Sequence, residues 1–276
     1  MSYEFYTDVY GEGLQLISER LPFLRCVKFT PVSASIERQT AVVANRPGLK
    51  QTSKKVRFKE RKIKARFYIK AKSTDQFNRY RAALTRELVR EEPYYISCSF
   101  SPGIRYLVTC DDEIEIEKDD GKNYKEVDVE FTAALGLGET VFNTEKPLNL
   151  SGENFHIGMN LPSQDDLKYR FTSKTFKVYN ASDVTIDPID FDYSVTMYLT
   201  GKDVKIRNDA TKEALTIRGS VSKKQKIIIT RQYVMIDGKM ADTSGRFPSL
   251  RPGFNPFEIE GASSIDMRFV LRFYYK

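Results

Sequence analysis

The sequence predicts a mainly β protein in two units, the first of them α+β with a single helix. Three observations lead there. Apolar and polar residues alternate strictly over many short stretches, which is the period of a half-buried strand. One stretch alone has helical spacing. In the second half, turn residues recur every ~8–12 residues, the rhythm of a sandwich or jelly roll. The 276 residues, with 18 Phe and 16 Tyr but no Trp, are long and apolar enough for two packed cores.

Taken along the chain, the first distinctive segment is Ser35 to Lys59. Thr40-Ala41-Val42-Val43 leads into Asn45-Arg46-Pro47-Gly48, and a polar, basic stretch returns toward Val56 and Phe58. This reads as a hairpin turning at Pro47-Gly48 and projecting from the body. Val42 and Val43 are adjacent, so one of them is exposed on an isolated hairpin. A long open edge of this kind is a liability unless something pairs with it.

Arg61 to Lys70 then alternates, with Ile63, Ala65, Phe67 and Ile69 on one face and cations mostly on the other. The helix follows. Ser73 caps it, Gln76 is its capping-box partner, Phe77, Tyr80, Leu84 and Leu88 form the apolar stripe, and Glu91-Glu92-Pro93 ends it. Tyr94, Ile96, Cys98 and Phe100 alternate up to a Ser101-Pro102-Gly103 turn, and Ile104, Tyr106, Val108 and Cys110 return on the same face. Pairing Phe100 with Ile104 sets Cys98 opposite Tyr106, which argues against a Cys98–Cys110 disulfide. Val127, Val129, Phe131 and Ala133 make one further strand.

From Leu135 to about Asp166, glycines and prolines replace periodicity, so the expected division is 1–140, a boundary at 141–165, and 166–276. Beyond it the expected strands begin at Phe176 and Phe191. Short ones follow at Val204–Ile206, Leu215–Ile217, Ile227–Ile229 and Tyr233–Ile236. The last two lie at Phe257–Ile259 and Ile265–Phe273.

Charge is distributed unevenly. The whole chain carries +7, but residues 38–72 hold thirteen basic residues against Glu60 alone, or +12. Asp111 to Asp120 holds seven acids and one lysine, and Glu113, Glu115 and Glu117 alternate with Ile114 and Ile116 like the wet face of a strand. The basic segment suits either nucleic acid phosphates or an acidic protein surface, such as the acidic segment of another copy. Its alternation is that of a strand, whereas a nucleic-acid reader would place cations on a helix or among exposed aromatics. A protein partner is therefore favoured.

Several chemistries are excluded or weakened. The single histidine, His156, has no nucleophile motif nearby, so no catalytic residue is assigned. Cys26, Cys98 and Cys110 lack metal-ligand spacing and read as reduced, buried thiols. The acids at 111–120 lack the EF-hand pattern, so no metal is expected. Gly136-Leu137-Gly138 lacks the rest of a dinucleotide fingerprint, and no P-loop occurs, so no cofactor is expected. Paired carboxylates for a glycosidase are not placed. No run of ~18 apolar residues and no signal-peptide pattern is present, which predicts a chain made in the cytoplasm without membrane insertion.

The order of these pieces resembles a known family. The chain runs from a hairpin around Arg46-Pro47-Gly48 to a basic strand and a helix at 74–92. Tyr94-Tyr95-Ile96 and Ser101-Pro102-Gly103-Ile104-Arg105-Tyr106 follow, and then a β-sandwich. The sandwich contains Phe247-Pro248-Ser249-Leu250-Arg251-Pro252-Gly253-Phe254-Asn255 and ends in Arg268-Phe269-Val270-Leu271-Arg272-Phe273-Tyr274. It is similar to the distal tail protein family of long-tailed, non-contractile bacteriophages and prophages of Gram-positive hosts.

The resemblance implies a non-enzymatic virion protein of the baseplate, made in the host cytoplasm. It implies an N-terminal β-sandwich-like unit that forms a homohexameric ring and a C-terminal galectin-like β-sandwich. It also implies a hairpin, or belt, lying on the neighbouring subunit. The ring would join the tail tube protein to the tail-tip protein of the host-adsorption apparatus, near the tape measure protein and receptor-binding protein, and DNA would pass through without specific binding. On that reading Val42, Val43, Arg46, Pro47, Gly48, Lys50, Lys54 and Lys55 form the belt interface. Asp111, Asp112, Glu113, Glu115 and Glu117 are its candidate acidic partners. The alternatives are a carbohydrate-binding adhesin using the C-terminal sandwich, or a nucleic-acid-binding protein using the basic arm.

Overall fold

A computed structural model describes residues 2–146, 156, 158–162 and 167–276; the side chains of Lys54 and Lys55 lie outside the described ones. The chain folds as two compact units that divide between Glu139 and Thr140. Much of the stretch expected as a boundary, 147–155, 157 and 163–166, falls outside the described residues.

The first unit contains β1 (Phe5–Asp8), β2 (Gln15–Leu16), α1 (Ile17–Arg20), β3 (Leu24–Pro31), β4 (Ile36–Val42) and β5 (Leu49–Phe58). It continues with β6 (Arg61–Lys70), α2 (Thr74–Leu88), β7 (Tyr94–Cys98), β8 (Ile104–Thr109) and β9 (Tyr124–Ala133). Seven of these strands lie in the order β2-β1-β7-β8-β9-β6-β3. A bridge from Tyr3 to Cys26, with the Tyr3 N–H donating to the Cys26 carbonyl at 2.8 Å, returns the leading end of β1 to β3. The sheet expected as sandwich-like thus wraps around and closes on itself, which removes edges.

Phe5, Phe29, Phe67 and Phe131 meet inside it, Phe5 lying edge-on to Phe67 at 5.1 Å and stacked near Phe131 at 6.0 Å. Burying each ring contributes about 1.5–3 kcal/mol. The alternation on β6 is realised: Ile63, Ala65, Phe67 and Ile69 are all buried.

The Ser73 cap accepts from Gln76 N–H at 3.2 Å, and the Gln76 side chain accepts in return from Lys72 N–H at 2.7 Å, one residue before the expected position. Phe77, Leu84 and Leu88 are buried, while Tyr80 stacks on Phe23 at 3.8 Å. The helix stops at Leu88, ahead of the Glu91-Glu92-Pro93 stop, because Val89 is already extended.

Three local expectations need correction. Ile96, not Cys98, lies opposite Tyr106, because β7 ends at Cys98 and Phe100 turns outward with Ser101 N–H bonded to the Cys98 carbonyl. All three cysteines are nevertheless free and buried. The acidic run around Glu113, Glu115 and Glu117 keeps its alternation, with Ile116 buried, but it joins no strand. A further short helix, α1, was not expected; four residues are too few to show a period.

In the second unit two long strands, Tyr193–Asn208 and Gly253–Leu271, pair with each other along most of their length. Each merges two strands that the sequence reads as separate. The register slips near Gly201, where any Cβ would collide with the Gly261 carbonyl, and Gly261 has φ +77°. Glycines that look like turns are here bulges that bend a continuous ladder.

The bend is sharp. Phe257 and Phe269 would be about 40 Å apart on a straight strand, yet their rings touch edge-on at 5.5 Å. The inner faces of the two halves therefore pack together, with Phe176 and Phe247 between them. Thr175–Asn180 and Glu213–Val221 flank one half, and Ile227–Thr230 and Tyr233–Ile236 the other. Buried Asn180, Asn208 and Asn255 hold the Ser249–Gly253 loop by bonds to its backbone.

Candidate assembly interface

β4 and β5 form a two-stranded sheet of their own. Their register begins at Ile36 opposite Phe58 and ends at Val42 opposite Leu49. It slips between Arg38 and Thr40, where Thr52 Oγ1 donates to the Gln39 carbonyl at 3.2 Å. The turn has Arg46 N–H bonded to the Val43 carbonyl at 3.2 Å, with Asn45 at φ 60° and Gly48 at φ 78°. It is therefore centred on Ala44-Asn45, three residues earlier than the expected Pro47-Gly48. Asn is among the few residues with a side chain that accept this conformation readily.

Every residue of β4 is exposed. Val42 is 80% and Leu49 68% exposed, and Val43 is half-buried, so the far end carries an apolar cross-strand pair in water. Seven residues of strand extend the arm by about 20 Å. Hairpins of two strands are marginal on their own.

Electrostatics separate the arm from the body. On the wet face of β6, Lys62 reaches Glu130 at 3.1 Å and Asp112 at 3.3 Å, and Lys64 reaches Glu130 at 3.3 Å. Arg66 grips Asp128 through two bonds of 2.7 and 3.0 Å. The guanidinium beside Asp128 holds that carboxyl below its ordinary value, and Lys62, aided by Lys64, does the same for Glu130. Three of the segment's thirteen cations, Lys62, Lys64 and Arg66, are thus paired with acids of β9 in the same chain.

On the hairpin the only ion pair among the described residues is Arg57 with Glu37, at 4.0 Å. Arg38, Arg46 and Lys50 project into solvent. Of the expected acidic partners, Asp112 is engaged by Lys62 and Asp111 accepts from Thr109. Glu113, Glu115 and Glu117 are exposed and enter no ion pair among the described residues.

Two features escaped the sequence reading. Leu49, the cross-strand partner of Val42, is hidden in a polar stretch and only the register reveals it. The counter-charges Glu126, Asp128 and Glu130 stand between the apolar residues of β9, so the signal was present in an alternation read only for its apolar half.

The closed β unit thus carries one long hairpin that, among the described residues, pairs with no other strand. Residues 16–133, nearly the whole first unit, match the family model of the phage tail protein RIFT-related domain. No curated protein matches the chain.

Among solved structures, the whole chain has a fold similar to that of the Dit protein (gp 19.1) of phage SPP1, described as a paradigm of the hub adsorption apparatus in phages infecting Gram-positive hosts. The TM-score is 0.62 at 12% identity, over 99% of this chain and 100% of that one. A chain of the phage P2 baseplate in its activated, calcium-bound conformation aligns at a TM-score of 0.44 and 10% identity, over 99% of this chain and 98% of that one.

Proposed function

We propose that this chain is a non-enzymatic structural protein of the distal end of a phage tail, where identical copies form a ring between the tail tube and the host-adsorption apparatus. The tail domain over residues 16–133 and the SPP1 Dit-like fold support the location. One observation carries the assembly: the β4–β5 hairpin is exposed, cationic and paired only with itself.

In a neighbouring copy the hairpin finds what its own body does not offer. Its apolar end, Val42 with Val43 and Leu49, packs on that copy, and its cations, Lys54 and Lys55 among them, approach Glu113, Glu115 and Glu117. The contact is heterologous, and such contacts close into rings when the rotation permits. Six copies is the number the family resemblance implies. The tail tube protein, the tail-tip protein and a receptor-binding protein are the further partners.

Deletion of residues 40–55 tests this. The variant is expected to sediment as a folded monomer, and ring-sized particles persisting in analytical ultracentrifugation would overturn the reading. Salt-dependent DNA binding by the intact monomer, lost in the deletion, would instead favour a nucleic-acid role for the arm.

A further inference from the structure

The hairpin does not hang from a loose tether. The chain leaves the body after Pro31, paired with Ile63, and returns at Arg61, paired with Ala133. Between these points and the first hairpin pair, Ile36 with Phe58, lie only residues 32–35 and 59–60. Each of these short connections is fastened.

On the outgoing side, Val32 N–H donates to the Lys62 carbonyl at 2.9 Å, and Arg61 Nε donates to the Val32 carbonyl. Arg61 is 6% exposed, and its guanidinium lies over the Tyr106 ring at 5.3 Å, so the donor is itself held in place. On the returning side, Lys59 N–H donates to the Ser35 carbonyl at 3.0 Å, tying the two connections together.

The third fastening is steric. The turn after β9 is closed by Gly136 N–H on the Ala133 carbonyl at 3.1 Å, and Gly136 has φ +73°. Its bare Cα faces Lys59. A Cβ there would run into the Lys59 carbonyl oxygen, with the carbonyl carbon at 3.1 Å and Phe58 Cβ at 3.4 Å. Backbone approaches this close are open only to glycine.

We propose that Gly136 and Arg61 are positioning residues that form a socket at the root of the hairpin and set its angle to the body. A ring of head-to-tail contacts closes at a fixed number of copies only if each copy presents its arm at a fixed angle; otherwise the contacts propagate openly or fail. A pre-aimed arm also avoids paying the ordering entropy that a flexible tether would lose on docking. The consequence for ring closure rests on the assembly reading above; the socket itself does not.

Spin labels at the hairpin turn (Arg46→Cys) and on α2 (Arg79→Cys), both exposed positions, report the arm's angle as a distance in the monomer. The native chain is expected to give one narrow distance distribution, and a broad one would overturn the socket. Gly136→Ala is compared with Gly121→Ala, which has the same φ of +73° but nothing within 4 Å of its Cβ. The two share the backbone strain and differ in the collision.

The distance is expected to shift or broaden in Gly136→Ala alone, and indistinguishable distributions in the two variants would overturn the proposal. Ring formation is expected to fall at least tenfold in Gly136→Ala and to stay near native in Gly121→Ala. Rings that form normally around a displaced arm would refute the link between angle and closure. Rings that survive deletion of 40–55 would refute the assembly reading and leave the socket standing.

Discussion

Replacing Val42 and Leu49 together by serine separates assembly from folding. In the free chain these side chains are 80% and 68% exposed, so the folded monomer loses little burial when they are cut back. Full burial of such a side chain contributes about 1.5–3 kcal/mol. Scaling each by its exposed fraction leaves about 2–4 kcal/mol to be gained per arm when a neighbour covers the pair. At 1.4 kcal/mol per decade, the double variant should weaken each contact by roughly 30- to 1000-fold. Sedimentation or native mass spectrometry across a concentration series reads the shift, and urea unfolding of the monomer provides the control. Unchanged assembly would refute the reasoning, as would a lowered monomer stability that accounts for the whole loss.

Three other outcomes follow from the body. Glu87 is 6% exposed and sits between Arg20 at 2.6 Å and Arg90 at 3.6 Å, with Tyr10 against both guanidiniums. Glu87→Gln leaves two cations facing each other and should cost about 3–5 kcal/mol by urea denaturation; a loss under about 1 kcal/mol would show the pair to be dispensable. The carboxyls of Asp128 and Glu130 lie below their ordinary values when folded, held by Arg66 and by Lys62. Their stabilisation is therefore complete above the unfolded carboxylate value of about 4 and is lost as pH falls through the folded values. Asp128 is exposed and Glu130 partly so, which keeps the effect small; D128N/E130Q should show a shallower decline in urea midpoint on acidification than the native chain, and equal declines would contradict the assignment. All three thiols are buried, and burial pushes Cys110 up to about 11, so a thiol reagent should react slowly with the native chain and titrate three groups on unfolding. Rapid native labelling would contradict the packing.

Elements whose pattern is local were legible in the sequence. Strand β6 shows its period of two in ten residues, and α2 carries both a cap and a stripe. The hairpin was recognisable as an arm because its strands combine β-forming residues with too few apolar ones to face a core. What was not legible depends on distant partners. Closure of the first sheet rests on one bridge, Tyr3 to Cys26, with no pattern of its own. The long strands of the second unit are continuous because Gly201 and Gly261 approach each other across the ladder, which neither glycine announces alone. The charge of the basic segment looked free because its counter-ions on β9 lie about 60 residues further along and meet it only through sheet register.

Backbone amide exchange over residues 36–58, followed in monomer and in assembled particles of the full chain, asks most directly whether the arm is completed by another copy. A two-stranded hairpin that is folded most of the time still opens far more often than a core strand, so these amides should exchange much faster than those of β6 in the monomer and become strongly protected on assembly. Equal exchange in both states, or strong protection already present in the monomer, would contradict it.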